Sequence, residues 1–360
     1  MKTLAMWMCM AAVAAAQVNT VKPQEPPPPK PSKKAMKPKA KDGATDVSAR
    51  VGSELAWDDN ILELSNKQVS QLEDGNRPEK FRIDEPGDFI YSVWAELRVK
   101  GRIFKEPTSA GLKVQPYFYQ ESSIANYEEY ELFLRQDLGA HEAGLTAGFQ
   151  REVYLRELEI VVPGPNLWES AFYDEYDLSA YYKHRLHAAA AVRGTLGWLI
   201  RDFDSPFGYR DRAGWYLAIK PEIELGRGWA AFLKWEYDDQ RAEPGAFDAD
   251  TSYTQQEVEA GLSLEVVDKI LGVSLRYRYG LRDYTSSQDP AVDPSHVDRE
   301  DRRQRVIFDL KWKVAKGWAF EARYEWRDVD SHRPFDDDAT TSEPGDSTRN
   351  VFVLGLTYSL

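Results

Sequence analysis

The chain has 360 residues, of which 42% are hydrophobic and 29% are charged, and its formal net charge is -13. This acidic balance argues against nucleic acid as a partner, because phosphate binding requires a basic surface. Beyond the first residues, no stretch approaches the ~18 consecutive apolar residues of a transmembrane helix, although a membrane barrel has similar hydropathy because only alternate residues of its strands face lipid.

The first sixteen residues have the pattern of a secretory signal peptide. Lys2 provides the positive start, Leu4 to Ala16 is apolar, and the segment ends in the small residues Ala14, Ala15 and Ala16. We therefore predict that residues 1–16 are removed after Ala16. The alternative, an N-terminal anchor helix, would need a longer apolar run to span a bilayer.

Residues 17–47 form a proline- and lysine-rich arm that contains a run of prolines at 26–29. The segment has no aromatic residue and little to bury, so it cannot offset the entropy of ordering, and we predict that it is disordered. Two interpretations stay open. The arm is either a flexible spacer or a tether that contacts an anionic periplasmic partner.

From residue 48 onward, apolar and polar residues alternate in runs of about 10–15, which is the signature of long two-faced strands. The clearest run places Trp318, Phe320, Tyr324 and Trp326 on one face and charged residues on the other. We predict about fourteen strands, near 48–58, 88–100, 110–119, 126–137, 142–155, 170–184, 187–201, 212–225, 228–241, 252–266, 270–284, 302–315, 318–331 and 347–360.

Short and long links alternate between these strands, which predicts an all-β fold, a transmembrane antiparallel up-and-down β-barrel over residues 48–360. In such barrels the short turns are periplasmic and the long loops are extracellular. Two links depart from the rule: 101–109 is long for a turn, and 120–125 is short for a loop.

With this assignment, aromatic residues on the outward face fall near the two ends of the strands, with aliphatic residues between them. Such girdles mark the two interfaces of a bilayer, so we expect outer-membrane lipid and lipopolysaccharide as partners. The predicted girdle residues are Trp57, Trp198, Trp215, Trp229, Trp235, Trp312, Trp318, Trp326 and Tyr358.

The inward face carries charges of both signs. Two interpretations stay open: a polar pore whose facing charges select solutes, or a network of ion pairs that fixes strand register. The predicted lumen-facing residues are Lys220, Glu222, Lys234, Glu236, Glu257, Glu259, Arg276, Arg278, Asp309, Lys311, Glu321, Arg323 and Glu325.

Motifs that would indicate an enzyme are not found in the sequence. There is no Gly-x-Ser-x-Gly elbow, phosphate loop or zinc motif. His184 and His187 flank a predicted turn, but no third metal ligand is apparent, and solvated turn histidines are the favoured interpretation. We predict a non-enzymatic protein without cofactor or metal.

The C-terminal strand carries Phe352, Leu354, Leu356, Tyr358 and Leu360 on one face. It resembles the final strand of bacterial outer-membrane β-barrel (porin-like) proteins, although those usually end in Phe. The resemblance implies recognition by the outer-membrane assembly machinery.

The opening strand, with Trp57, Asp58, Asp59, Asn60 and Ile61, is similar to the start of barrels associated with exopolysaccharide export or surface secretion. Three functions are therefore weighed. The leading prediction is a bacterial outer-membrane channel for small hydrophilic solutes with both termini in the periplasm. The alternatives are a barrel that exports exopolysaccharide or another surface polymer, and a closed structural or adhesive barrel.

Overall fold

A computed structural model of the chain describes residues 45–76, 80–160, 167–245, 248–335 and 345–360. The predicted signal peptide and nearly all of the predicted arm fall outside these ranges. The strands are β1 (Asp46–Asp58), β2 (Asp88–Ile103), β3 (Glu106–Tyr119), β4 (Tyr127–Leu138), β5 (His141–Ile160), β6 (Leu167–His187), β7 (Ala190–Phe203), β8 (Arg212–Gly226), β9 (Trp229–Ala242), β10 (Tyr253–Val267), β11 (Leu271–Tyr284), β12 (Glu300–Ala315), β13 (Trp318–His332) and β14 (Ser347–Ser359); the helix α1 is Asn66–Glu73.

Each of the described strands pairs antiparallel with its neighbours in chain order, and β1 pairs with β14, so the sheet closes into a barrel. The predicted fold, a closed up-and-down barrel of fourteen strands, is confirmed. Closure leaves no strand edge unpaired. In the described part of the chain, no helix is long and apolar enough to cross a membrane.

The two ends of the barrel differ in their connections. Connections of two or three residues lie at the end where β1 starts and β14 finishes, which we call the turn end; they are 104–105, 139–140, 188–189, 227–228, 268–270 and 316–317. At Arg227 and Gly228, φ is 53° and 80°; paired positive φ values of this kind match the twist of a tight hairpin. The opposite end, which we call the loop end, carries the longer connections 59–87, 120–126, 161–166, 204–211, 243–252, 285–299 and 333–346.

One predicted connection is wrong in length. The link expected at 101–109 is a two-residue turn, because β2 runs to Ile103 and β3 begins at Glu106. The residues that form these extra rungs are mostly polar or small, since the strands have passed beyond the alternating apolar segment. Backbone pairing continues after the hydrophobic pattern has stopped, which explains the misplaced boundary.

The link expected at 156–169 is also shorter than predicted. β5 and β6 stay paired up to Ile160 and Leu167. Here Leu158 and Ala171 are buried with Phe207 from the connection after β7. At the loop end these residues form a small buried core inside the barrel. Apolar residues therefore no longer alternate regularly with polar ones there, and the sequence pattern did not show the strand ends.

Several inward-facing glycines lie directly opposite an aromatic residue of the neighbouring strand. At Gly197, an added Cβ atom would lie 2.1 Å from the ring of Tyr216. The same arrangement recurs at Gly52 with Trp94, Gly111 with Phe133, Gly144 with Tyr181, and Gly261 with Phe232. The rings lie over the backbone of the next strand and fill space in the lumen that a side chain would otherwise occupy.

Candidate functional site

The outward face of the wall is apolar and exposed. Across β2, β3 and β4, Leu97, Leu112 and Leu132 are direct neighbours, and all three are exposed. Exposed aliphatic residues in rows need an apolar environment around the barrel.

The predicted girdle residues all lie on this outward face. Trp198 and Trp215 are direct cross-strand neighbours near the loop end, and Trp318 packs on Tyr358 near the turn end with ring centroids 4.7 Å apart. Trp57 and Trp326 also lie toward the loop end, Trp229 and Trp312 lie toward the turn end, and Trp235 lies near the middle of β9.

The predicted lumen charges all lie on the opposite face, and each contacts a charge of opposite sign. The pairs are Lys220–Glu222 at 3.1 Å, Lys234–Glu236 at 2.6 Å, Arg278–Glu259 at 2.5 Å, Arg278–Glu257 at 3.3 Å, Arg276–Asp309 at 2.9 Å, Arg323–Asp309 at 2.6 Å, Arg305–Glu325 at 2.5 Å, and Lys311–Glu321.

A row of arginines crosses four adjacent strands. Arg278, Arg305, Arg327 and Arg349 are direct neighbours on β11, β12, β13 and β14. Like charges directly opposite each other destabilise a sheet unless they are neutralised. Glu325 bonds both arginines in the middle of the row. We call these four residues the arginine row.

Part of the neutralisation comes from the segment 59–65, which follows β1. Its backbone is held by Asn60, whose side-chain amide donates to the carbonyl oxygens of Leu64 (2.8 Å) and Thr348 (3.2 Å) and accepts from the Leu64 N–H (2.8 Å). Ile61 and Leu64 pack in a buried cluster with Ile83. The segment is therefore anchored on both polar and apolar contacts, and we call it the inserted segment.

Helix α1 begins directly after the inserted segment. Ser65 caps it, because the Ser65 hydroxyl accepts from the Gln68 N–H and the Gln68 side chain accepts from the Ser65 N–H. Arg156 of β5 donates to the carbonyl oxygen of Leu62 at 3.3 Å. These contacts hold the backbone on both sides of Glu63.

Glu63 lies at the centre of the inserted segment with φ of 50°, a left-handed conformation that is uncommon for a residue with a side chain. Its carboxylate accepts from Arg327 at 2.8 Å and from Arg349 at 2.9 Å, and Arg303 lies 4.0 Å away. Burial alone would raise the pKa of the Glu63 carboxyl, but the three guanidinium groups outweigh it and lower the pKa from 4.5 to about 2.

Asp58, the last residue of β1, neutralises the end of the arginine row. It is fully buried, and both of its carboxylate oxygens accept from Arg349. Asp59 binds the side chain and the backbone N–H of Asn350 at 2.7 and 2.6 Å. The segment that resembles the start of export barrels therefore ties β1 to β14 at the seam of the barrel.

Above the arginine row, toward the loop end, lies a cavity of about 470 Å³. Among the described residues that line it, nine are arginines and two, Glu63 and Asp301, are carboxylates, although the whole chain is acidic. The arginines are Arg156, Arg201, Arg210, Arg212, Arg282, Arg299, Arg303, Arg327 and Arg349; tyrosines also line the cavity, at Tyr119, Tyr127, Tyr154, Tyr173 and Tyr284. We call this space the upper cavity.

Two further cavities lie in the lumen. One of about 130 Å³ lies at the arginine row and shares Glu63, Arg303 and Arg327 with the upper cavity. Another of about 440 Å³ lies toward the turn end, lined by Asp309 and Arg323 among others. Glu63 thus borders both the upper cavity and the smallest of these spaces.

The histidine pair suggested by the sequence does not form a site. His184 contacts His141 of β5, with the two Nδ1 atoms 3.1 Å apart, whereas His187 lies at the turn. Over the ranges that the structure describes, no group of three or more His, Cys, Asp or Glu could hold a metal ion. His296 bonds Asp293 at 2.6 Å in the loop before β12.

Sequence reasoning did not predict the upper cavity, although the alternation placed Arg282 and Arg327 on the inward face. Arg303 and Arg349 lie on the same inward face as the predicted lumen charges, so extending the alternation past the apolar core of each strand would have found them. The insertion of Glu63 into the lumen has no comparable signal, because it depends on the path of a connection between strands.

No protein-family model and no curated protein sequence matches the chain. Among solved structures, the chain is similar to the outer membrane channel DcaP of Acinetobacter baumannii, with 10% identity, 89% of this chain and 99% of that chain covered, and a TM-score of 0.48. It is also similar to OmpT, an outer membrane protein of Vibrio cholerae (11%, 89% and 99%, 0.45), and to an anion-selective porin from Comamonas acidovorans (9%, 89% and 100%, 0.42). Because the identities and TM-scores are low, the fold rests on the strand pairing of this chain, and its function rests on the residues of its lumen.

Proposed function

We propose that this protein is an outer-membrane channel for small hydrophilic solutes. One observation carries the proposal: the two faces of the closed barrel wall differ. The outer face has rows of exposed aliphatic residues, and the inner face has charged residues that line several cavities. A barrel with a lipid-facing exterior and a polar lumen is suited to passing solutes that cannot cross the bilayer. The proposed role includes no catalytic step and no cofactor.

The proposed orientation follows from the two ends of the barrel. Short turns are periplasmic in barrels of this class, so the turn end, with the start of β1 and the end of β14, would face the periplasm. Lipid and lipopolysaccharide would contact the outward face, and the C-terminal strand would be the part that the assembly machinery recognises. A periplasmic partner of the arm stays a prediction.

A specific observation favours one alternative, a closed structural barrel. All of the predicted lumen charges are in ion pairs, and the inserted segment reaches the arginine row. Ion pairs along the wall, together with a segment inserted in the lumen, would stabilise a barrel that does not conduct. The cavities in the lumen favour the channel, and a conductance measurement separates the two.

The test is the conductance of single purified barrels in a planar bilayer. The wild type is compared with the double variant Arg276→Ala/Arg278→Ala, and with Lys316→Ala in the exposed turn before β13 as a control. We expect steady openings, with ion selectivity altered by the double variant and unchanged by the control. Silence from a correctly folded barrel would overturn the channel and support the structural alternative.

A further inference from the structure

The arginines of the upper cavity differ in how well they are neutralised. Arg201 bonds Glu175 at 2.5 Å, and Arg299 bonds Asp301 at 2.8 Å. Arg349 is held by Asp58 and Glu63. These guanidinium groups have carboxylate partners of their own, and a solute would have to compete for them.

Three other guanidinium groups in the same cavity lack such partners. Arg282 donates to the neutral Gln255 side chain at 2.7 Å, and Arg303 donates to the same oxygen at 3.4 Å. In the ranges that the structure describes, no carboxylate comes within 4.0 Å of Arg212 or Arg282, and the nearest to Arg303 is Glu63 at 4.0 Å. The Nε atom of Arg212 is buried without a hydrogen-bond partner.

A tyrosine ring positions two of these groups. Tyr253 of β10 is almost completely buried, with Arg282 3.9 Å and Arg212 5.3 Å from its ring centroid. Stacking on an aromatic ring holds a planar guanidinium in place while its N–H groups stay available. The cations are therefore fixed by the wall rather than by an anion.

We propose that Arg212, Arg282 and Arg303 form a binding site for a small multivalent organic oxyanion, a polycarboxylate or a phosphate ester. Guanidinium groups bind planar carboxylates and phosphates through paired N–H donors. The cavity of about 470 Å³ admits a solute of a few tens of atoms at most. The proposal deepens the channel function and rests on it for its biological meaning, whereas binding itself does not require conduction.

Glu63 acts in this site as a competing anion fixed to the wall. Its carboxylate borders the same cavity and stands 4.0 Å from Arg303. A negative charge at this distance weakens the attraction for an incoming anion. Removing the charge strengthens binding, which separates this role from a purely structural one.

The test is isothermal titration of the full-length protein in detergent with citrate, with inorganic phosphate and with glucose. We expect saturable binding of at least one of the two anions and none of glucose; citrate alone would identify a carboxylate site, and phosphate alone a phosphate site. In Arg212→Gln/Arg282→Gln the affinity falls at least about tenfold, and in Glu63→Gln it rises several-fold.

The matched control is Arg323→Gln, an inward arginine bonded to Asp309 in the cavity toward the turn end. Its affinity should stay within about twofold of the wild type, since long-range charge effects are screened. Heat-dependent gel mobility checks that each variant is folded. The proposed site would be overturned if the wild type bound neither anion, or if the control and the double variant lost affinity equally. If citrate bound but the conductance test failed, only the channel would be overturned.

Discussion

At the scale of single residues, Asn60 has a position that few other residues could fill. Its side-chain amide bonds the backbone N–H and carbonyl of Leu64 and reaches the carbonyl of Thr348 on β14. One short polar side chain thus closes the inserted segment on itself and attaches it to the wall.

We expect Asn60→Ala to loosen the inserted segment without opening the barrel. Loss of these bonds leaves backbone groups of a buried segment unsatisfied, which costs about 1–3 kcal/mol. The loosening would be measured as faster hydrogen exchange of the backbone amides at 61–65. The control is Asn66→Ala in the first turn of α1, where the side chain is exposed; equal exchange in the two variants would contradict the role assigned to Asn60.

The carboxylate of Glu63 predicts a pH dependence. Its pKa is lowered from 4.5 to about 2, so the folded state binds fewer protons than the unfolded state between these values. The stabilisation is complete above pH 4.5 and is lost as the pH falls toward 2. The difference in stability between wild type and Glu63→Gln should therefore be constant at neutral pH and shrink between pH 4.5 and 2; a difference that persists unchanged at pH 2 would refute it.

At the scale of strands, the sequence predicts which segments are strands because the wall has one apolar and one polar face. The run Trp318–Arg327 alternates without a break, and β13 spans it. The pattern fails where strands extend beyond the apolar belt, as at Arg102 and Pro107, which pair past the predicted ends. There the strands are paired through backbone hydrogen bonds alone, and the side chains show no alternation from which the pairing could be predicted.

Cross-strand glycine and aromatic pairs give a prediction at the same scale. Gly197→Val would place a side chain against the ring of Tyr216, whose hydroxyl donates to Asp177 at 3.0 Å. The ring must move, and overpacking of this kind costs about 1–3 kcal/mol.

The control for this variant is on the same strand. An added Cβ at Gly194, three residues earlier on β7, meets nothing within 4 Å, so Gly194→Val should be tolerated. Chemical unfolding of both variants measures the difference. Equal unfolding midpoints would show that the Tyr216 ring moves aside without loss of stability, which would contradict the prediction.

At the scale of the whole molecule, the site was harder to predict than the fold. The alternation of residues along each strand identified inward-facing charges such as Arg278 and Glu259. It does not show which residues of neighbouring strands are paired, or how far along the barrel axis they lie. The arginine row exists because Arg278, Arg305 and Arg327 are aligned by the register of neighbouring strands. Its neutralisation by Glu63 depends on a connection that folds inward, and nothing in the local sequence encodes that path.

The distribution of charge yields the last prediction. The chain carries a formal net charge of -13, yet nine arginines and two carboxylates line the upper cavity. Because the cavity lies inside the wall, its charges act on ions in the lumen at short range, while acidic groups elsewhere are separated from them by water and salt. The proposed channel should therefore prefer anions despite the acidic sequence.

Reversal potentials under a KCl gradient measure this preference. Wild-type channels should favour chloride, Glu63→Gln should increase the preference, and Arg212→Gln/Arg282→Gln should reduce it several-fold, since each change alters the charge beside the same path. The preference should be stronger near 0.1 M salt, where the screening length is about 10 Å, than at 1 M, where it is about 3 Å. A cation preference in the wild type would mean that ions pass along the carboxylate-bearing wall around Glu257 and Glu259 instead, and Glu257→Gln would then change the reversal potential while the arginine variants would not.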